Sequence, residues 1–219
     1  MKKVYGFDTK PLSTHMTVLE QIPDGVKVLE IGTASGYMGE YLVQEKKCDV
    51  WGVEPVTELF HDAEKCGYTK LFHMSVEDFL AVLTPHDQFD IIIMADVLEH
   101  MVFPDKVLAA LATHLSPTGR VVISLPNVAH HSVRRTLLLG RWNMIDSGIL
   151  DRTHLRFFNR YTAEKMITGA GLDIEKIMPI VLSNKKMMSK IWPRLGKKMH
   201  AFWSNIFGYQ HIFVAKLRQ

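Results

Sequence analysis

Apolar residues fall along the chain in two alternating patterns. Short apolar runs predict buried strands, and segments with apolar residues three and four positions apart predict helices. The predicted strands of the first half cover 26–32, 49–55, 71–74, 89–96 and 120–126. The predicted helices cover 13–22, 36–47, 57–66, 76–83 and 104–115. Because strands alternate with helices, the pattern predicts a doubly wound α/β domain around a parallel sheet.

The alternation breaks after residue 126. Residues 127–160 are rich in Arg, His and aromatic side chains without a clean period, and we interpret them as a substrate lid. A helix at 161–172 and strands at 173–182 and 209–217 follow, and the last two are separated by a basic segment at 183–208. We therefore expect one domain over 1–219, with the lid and a helical basic segment inserted in it.

Composition places the chain among ordinary globular proteins. It has 219 residues, of which 47% are apolar and 22% charged, which excludes collagen-like and disordered classes. Two cysteines give no disulfide framework, so a reducing compartment is expected. The N-terminal residues lack the apolar run of a signal peptide, and no stretch approaches 18 consecutive apolar residues. These features predict a cytoplasmic protein.

Charge is distributed unevenly along the chain. All 23 acidic residues lie in 1–175, which carries a net charge of −6, whereas the last 44 residues hold nine Lys and Arg and no acid. The basic segment also carries Met, Trp and Phe, a mixture typical of helices that lie on a membrane surface. Peripheral contact with the inner face of a membrane is therefore one expectation. The alternative is that its apolar residues pack over the domain while its lysines face water.

A glycine-rich turn connects the first predicted strand to a helix. In such a turn, backbone N–H groups can approach a ligand closely. A dinucleotide-binding turn that starts at Gly32 would need glycine at 34 and a small residue at 37, where the chain has Ala34 and Tyr37. Glu30, two residues before Gly32, would repel a pyrophosphate and suits a cationic ligand.

The segment V-L-E-I-G-T-A-S-G at 28–36 resembles motif I of class I S-adenosylmethionine-dependent methyltransferases, with Ala34 in place of the middle glycine. The segment F-D-I-I-I-M-A-D-V-L-E-H-M at 89–101 is similar to the methyltransferase 23 branch and to ubiquinone-pathway O-methyltransferases. Segments 116–130 and 151–174 continue the likeness. The resemblance implies a Rossmann-like seven-stranded sheet, parallel except for a last antiparallel strand, and S-adenosylmethionine as the cofactor.

The resemblance also implies which residues hold the cofactor. Glu54 ends the second strand, where a carboxylate accepts hydrogen bonds from ribose hydroxyls, and 75–77 lie where the family contacts adenine. The residues implied for the cofactor are Glu30, Gly32, Ala34, Gly36, Glu54, Ser75, Val76, Glu77 and Ala95.

Two histidine-containing motifs are candidates for catalysis, since a base is needed when the methyl acceptor is a hydroxyl. Asp96, Glu99 and His100 leave the strand at 89–96 with the spacing D-x-x-E-H. His100 could act as a base, the three residues could bind a divalent cation as in related ubiquinone-pathway enzymes, or they could cap a helix start. The cation is not the favoured alternative. His154, in the D-R-T-H-L-R-F-F stretch at 151–158, is the second candidate base.

Three arginines are candidates for binding the acceptor. Arg152 and Arg156 flank His154 and could bind an anionic group, and Arg141 lies in the lid after three leucines. The acceptor is expected to be a small molecule or a glycan- or lipid-linked compound, and O-methylation is preferred. An RNA-modifying methyltransferase and a non-catalytic cofactor-binding module are the alternatives. Nucleic acid is disfavoured because the catalytic portion is net acidic. Oligomeric state is not indicated.

Overall fold

The computed structural model describes residues 13–181 and 203–218. The greater part of the basic segment, which is expected to be helical, therefore lies outside the described residues. Its end, 203–207, is helical. Within the described ranges, no helix is long and apolar enough to span a membrane.

A seven-stranded sheet forms the centre of the structure, in the order β3-β2-β1-β4-β5-β7-β6. The strands are β1 Lys27–Ile31, β2 Asp49–Val53, β3 Lys70–Phe72, β4 Phe89–Ala95, β5 Leu115–Pro126, β6 Leu172–Ile180 and β7 Gln210–Leu217. β7 runs antiparallel to both of its neighbours, and the other pairings are parallel. The expected sheet, parallel except for its last strand, is confirmed.

Besides the helical residues 203–207, the described residues form seven helices and two short 3₁₀ turns. The helices are α1 Thr14–Leu19, α2 Tyr37–Gln44, α3 Thr57–Ala63, α4 Val76–Val82, α5 Pro104–Ala112, α6 His131–Leu138 and α7 Arg160–Gly169. The 3₁₀ turns are Glu64–Cys66 and Leu98–His100. β5 begins before its predicted start at 120, and a register shift between Phe89 and Ile91 of β4 accommodates the extra residues.

Both faces of the sheet are covered, which explains why its central strands are almost continuously apolar. On one face, residues such as Leu29 pack with Phe79 of α4 and Leu108 of α5. On the other face, residues such as Val28 pack with Leu19 of α1. The strand order reverses between β1 and β4, so the carboxyl ends of the central strands border a crevice where ligands bind in folds of this type.

The lid folds against this crevice around a small core of its own. Val133, Ile149 and Leu150 are buried in that core. Asn127 fixes the start of the lid, because its side-chain amide donates to the carbonyl oxygens of Asn205 (2.9 Å) and Gly208 (2.7 Å). The apolar residues of 127–160 have no regular spacing, and this agrees with the structure, in which α6 is followed by turns.

Candidate active site

A cleft of about 860 Å³ opens at the carboxyl ends of β1, β2, β4 and β5. Its walls bring together the glycine-rich turn, the end of β2, the start of α4, the 3₁₀ turn after β4 and the end of the lid. The sequence-predicted site residues that line it are Gly32, Ala34, Glu54, Ser75, Val76, Glu77, Ala95, Asp96, Glu99, His100 and His154. Most of the predicted site thus converges on one cavity.

The glycine-rich turn has a backbone that demands small residues. Gly32 has φ +73°, and a Cβ there would lie 2.7 Å from a Val97 methyl carbon. Gly36 has φ +84° and would place a Cβ 2.7 Å from the Cys66 sulfur. Ala34, the departure from the family pattern, also has a positive φ of 49°. Left-handed backbone is costly for any residue with a Cβ, so the turn is held in place by its surroundings.

Glu54 is the residue that holds the turn against β2. One carboxylate oxygen accepts from the Ala34 N–H at 2.8 Å, and the other accepts from the Val56 N–H at 2.9 Å. Burial raises the pKa of this carboxyl, and these two hydrogen bonds oppose the increase. Each carboxylate oxygen has a second lone pair, so Glu54 can still accept from ribose hydroxyls.

The segment at 75–77 begins α4. The Ser75 hydroxyl caps this helix, since it accepts from the Asp78 N–H at 3.1 Å and donates to the Asp78 carboxylate at 2.7 Å. The Ser75 side chain is therefore engaged within the protein. Ser75, Val76 and Glu77 all line the cleft, and contact of this segment with an adenine ring stays a prediction.

Glu30 lies behind the glycine-rich turn and is not among the residues that line the cleft. Its side chain is fully buried, and Oε2 accepts a 2.7 Å hydrogen bond from the Tyr68 hydroxyl. Burial raises its pKa to about 8. Direct contact between Glu30 and a cofactor stays a prediction, and the geometry favours a role in supporting the turn. Sequence reasoning missed Tyr68, because no local pattern marks a tyrosine as the partner of a distant carboxyl.

Asp96 follows β4 with a φ of +56°, and side chains of β5 and β7 fix its carboxylate. Its Oδ1 accepts from the Ser124 hydroxyl at 2.7 Å and from the Gln210 amide at 2.8 Å. These bonds orient the carboxylate on the cleft wall. Gln210 is a lining residue that the sequence did not indicate, because it is the first residue of a strand that lies far along the chain.

Glu99, His100 and His154 form a cluster beside Asp96. One ring nitrogen of each histidine and a carboxylate oxygen of Glu99 lie within 4.8 Å of one another. The His100 Nδ1 is 3.1 Å from the Thr153 carbonyl oxygen, and the His154 Nδ1 is 3.0 Å from the Ile149 carbonyl oxygen. Because a carbonyl only accepts, each Nδ1 carries a proton, so in the unprotonated form of each ring the lone pair lies on Nε2.

The surroundings of this cluster shift the pKa values of two of its members. Glu99 is 1% exposed, and neither of its carboxylate oxygens bonds to another described residue. Burial, followed by the charge of Asp96, raises its pKa well above the ordinary value. Burial lowers the pKa of His154, so its imidazole is neutral and able to accept a proton.

This arrangement changes the predicted cation site. The sequence grouped Asp96 with Glu99 and His100, but Asp96 bonds to Ser124 and Gln210, and His154 completes the cluster instead. Two imidazoles and one carboxylate form a donor set that divalent transition metals accept more readily than Mg²⁺ does.

None of the three predicted acceptor-binding arginines is among the residues that line the cleft. The Arg156 guanidinium donates to the Val102 carbonyl oxygen at 2.6 Å, and Arg152 lies 3.4 Å from the Asp146 carboxylate. Arg141 is exposed at the end of α6. Their role in binding an acceptor stays a prediction, and the contacts seen here give Arg152 and Arg156 other partners.

The charge of the lining fits a cationic ligand. Five carboxyl side chains line the cleft, and no Lys or Arg is found among its described lining residues. Burial disfavours the charged form of Glu99 most and of Glu54 to a lesser degree, so Glu77, Asp96 and Asp151 carry the argument. S-adenosylmethionine carries an ammonium and a sulfonium group, so such walls attract it, whereas they would repel a pyrophosphate. The lining carboxyl residues are Glu54, Glu77, Asp96, Glu99 and Asp151.

Comparison with known proteins agrees with this geometry. A methyltransferase-domain family model, methyltransferase 23, matches residues 8–177. The ubiquinone biosynthesis O-methyltransferase of Aeromonas salmonicida (strain A449) is 28% identical over 176 residues, which cover 76% of this chain and 72% of that protein. The protein-L-isoaspartate O-methyltransferase of Thermococcus onnurineus (strain NA1) is 30% identical over 112 residues, 49% of this chain, and the match spans 48% of that relative.

Among solved structures, a S-adenosylmethionine-dependent methyltransferase from Archaeoglobus fulgidus superimposes with a TM-score of 0.65. Its sequence identity is 16%, and the match covers 93% of this chain and 94% of that chain, so this likeness shows the fold. The family match covers more than half of the chain. The protein belongs to the methyltransferase 23 family and is a class I S-adenosylmethionine-dependent methyltransferase.

Proposed function

We propose that the protein methylates a hydroxyl group of a small-molecule, glycan-linked or lipid-linked acceptor. The observation that carries this proposal is the pair of histidines on the cleft wall. Both rings are oriented by Nδ1–H bonds to backbone carbonyls, which leaves Nε2 of His100 and His154 as proton acceptors. A hydroxyl acceptor needs such a base, because its proton must leave as the methyl group arrives.

The residues of this chain have distinct tasks in that reaction. Bound S-adenosylmethionine supplies an electrophilic methyl group on a positively charged sulfur. The glycine-rich turn and Glu54 hold the cofactor, and alignment of the acceptor oxygen with the methyl carbon provides most of the acceleration. His154 Nε2 would take the proton that the acceptor hydroxyl loses when it is methylated. His154 is preferred over His100 because it is the less exposed of the two.

The same cleft restricts the chemistry of the acceptor. A phosphate would meet five carboxyl side chains and none of the predicted arginines. The reacting end of the acceptor is therefore a neutral or cationic group, such as an alcohol or a phenol. This disfavours RNA as a substrate, since a nucleic-acid site needs cations close to the reacting nucleotide.

Methyl transfer from tritiated S-adenosylmethionine tests the proposal. We expect label to enter a metabolite or lipid extract and not RNA. With the labelled fraction as substrate, His154→Gln should lower kcat about 10²–10⁴-fold while calorimetry shows unchanged cofactor affinity. The control is His61→Gln, since His61 is exposed on α3 away from the cleft. Full activity of both His154→Gln and His100→Gln would refute the base, and labelling of RNA alone would refute the acceptor class.

A further inference from the structure

Three consecutive leucines at the end of α6 face solvent. Leu137, Leu138 and Leu139 are 48%, 86% and 64% exposed. Val133 is the buried residue of this helix, so the leucines take no part in the lid core. A run of exposed leucines is unusual on a protein surface and marks a site of interaction with an apolar partner.

Backbone hydrogen bonds define the end of the helix that carries the leucines. The Leu139 N–H donates to the Thr136 carbonyl at 3.1 Å, and the Gly140 N–H donates to the Leu137 carbonyl at 2.9 Å. The Arg141 N–H also donates to the Thr136 carbonyl oxygen, at 2.9 Å. These bonds terminate the helix.

Further apolar side chains follow on the same stretch. Trp142 is 41% exposed and Ile145 is 51% exposed. We define the leucine surface as Leu137, Leu138, Leu139, Trp142 and Ile145.

The charged residues nearest to the leucine surface in the sequence are mostly basic. Arg134, Arg135 and Arg141 are exposed, and the acidic residue that follows Ile145 is the exposed Asp146. Exposed Leu and Trp side chains with interspersed arginines are typical of surfaces that enter the interface of an anionic bilayer.

The leucine surface is connected to the cleft by aromatic contacts. The Trp142 ring packs edge-on against Phe157 at 5.2 Å, and the Phe157 ring lies 6.2 Å from that of His154. A membrane that contacts Trp142 would therefore lie close to the candidate base.

We propose that the leucine surface docks the protein on an anionic lipid bilayer. A second copy of the chain is a less favourable occupant, because a symmetric contact would bring the arginines of the two copies together. Docking by this surface brings the cleft to the lipid headgroups, so the acceptor is held in the membrane and presents its hydroxyl at the interface. This last step rests on the proposed function, whereas the docking does not.

Vesicle sedimentation of the full chain tests the docking. We expect binding to phosphatidylcholine vesicles that contain 30% phosphatidylglycerol, little binding to pure phosphatidylcholine, and weaker binding as salt is raised. The double variant Leu138→Gln/Leu139→Gln should lower the partition coefficient about tenfold or more. Arg135→Gln should lower it about fivefold. The matched control is Val82→Gln, because Val82 is 54% exposed on α4, outside the leucine surface.

Three results would overturn the proposal. The first is wild-type protein that stays in the supernatant with anionic vesicles at low salt. The second is a leucine double variant that binds as wild type does, which would place the binding elsewhere, such as in the basic segment. The third is a dimer in light scattering that the double variant converts to monomer, which would make the surface a contact between copies. Calorimetry with S-adenosylmethionine on the same variant measures cofactor binding, which the leucines do not affect if they only dock the protein. A loss of vesicle binding can then be told apart from a failure of the proposed reaction.

Discussion

Tyr68 reaches Glu30 through a space that two glycines leave open. Its hydroxyl lies 2.7 Å from the Glu30 carboxylate, behind the turn that borders the cofactor cleft. A Cβ at Gly39 would lie 2.2 Å from the Tyr68 hydroxyl oxygen, and a Cβ at Gly52 would lie 2.7 Å from its ring. Helix α2 and strand β2 can therefore pass this tyrosine only where they carry glycine.

Gly39→Ala should destabilise the protein by about 1–3 kcal/mol, because the new methyl group collides with Tyr68 and displaces its hydroxyl from Glu30. Urea unfolding measures the change. Gly169→Ala is the control, since Gly169 is helical and a methyl group added there would meet open space. That substitution should be neutral or stabilise by up to about 1 kcal/mol. Equal effects at both positions would contradict the packing described for Tyr68.

Glu30 should make the stability of the protein depend on pH. Burial raises its pKa from 4.5 to about 8, so its contribution is fully present below the unfolded pKa and is lost as pH rises to about 8. Glu30→Gln removes this titration. We expect the free energy of unfolding to fall more steeply between pH 5 and 8 in wild type than in the variant. Parallel curves would show that Glu30 ionises normally in the folded protein.

Glu54→Ala should weaken S-adenosylmethionine binding about tenfold or more, because the variant loses the charge-assisted hydrogen bonds to the ribose. It also leaves the Ala34 N–H without the carboxylate that accepts its hydrogen bond. Glu54→Gln should also bind weakly, since its amide would place N–H groups against the Ala34 or Val56 N–H. Calorimetry gives both affinities. Glu58→Ala is the control, because Glu58 is exposed on α3 and does not line the cleft. Wild-type affinity in Glu54→Ala would remove this residue from the cofactor site.

Chelation distinguishes a base from a metal ligand in the cluster of Glu99, His100 and His154. If the histidines act as bases, EDTA should leave methyl transfer unchanged. Loss of activity with EDTA, and its recovery on addition of a divalent ion, would instead identify these three side chains as metal ligands. Glu99→Gln serves as a second measurement, because it removes a carboxylate ligand while it preserves the size of the buried side chain.

The strands and the glycine-rich turn could be predicted because their signals are local. The run from Lys27 to Ile31 is apolar enough to require a buried strand, and Gly32 and Gly36 mark positions where the backbone turns in the left-handed region. A strand and a turn of this kind are determined by residues that are adjacent in the sequence, so they can be predicted from it. Glu54 could also be placed, because carboxyl ends of adjacent parallel strands meet at one edge of the sheet.

The meeting of His154 with Glu99 could not be predicted, since it depends on the path of the lid. The N–H groups of Leu155 and Arg156 both donate to the Glu99 carbonyl oxygen, at 2.8 and 3.0 Å. These backbone bonds bring His154 to the turn after β4, and no spacing in the sequence encodes them. For the same reason the sequence predicted that Arg156 is available to an anion, although its guanidinium is engaged by the Val102 carbonyl.

The carboxyl-rich lining of the cleft also affects how the enzyme completes a turnover. Methyl transfer converts a sulfonium into a neutral thioether, so the cofactor loses one positive charge at the moment the product forms. Walls that hold Glu54, Asp96 and Asp151 but no described Lys or Arg attract the reactant more strongly than the product, which keeps its ammonium group but has lost the sulfonium charge. We therefore expect the carboxyl side chains of the cleft to favour fresh cofactor over spent cofactor.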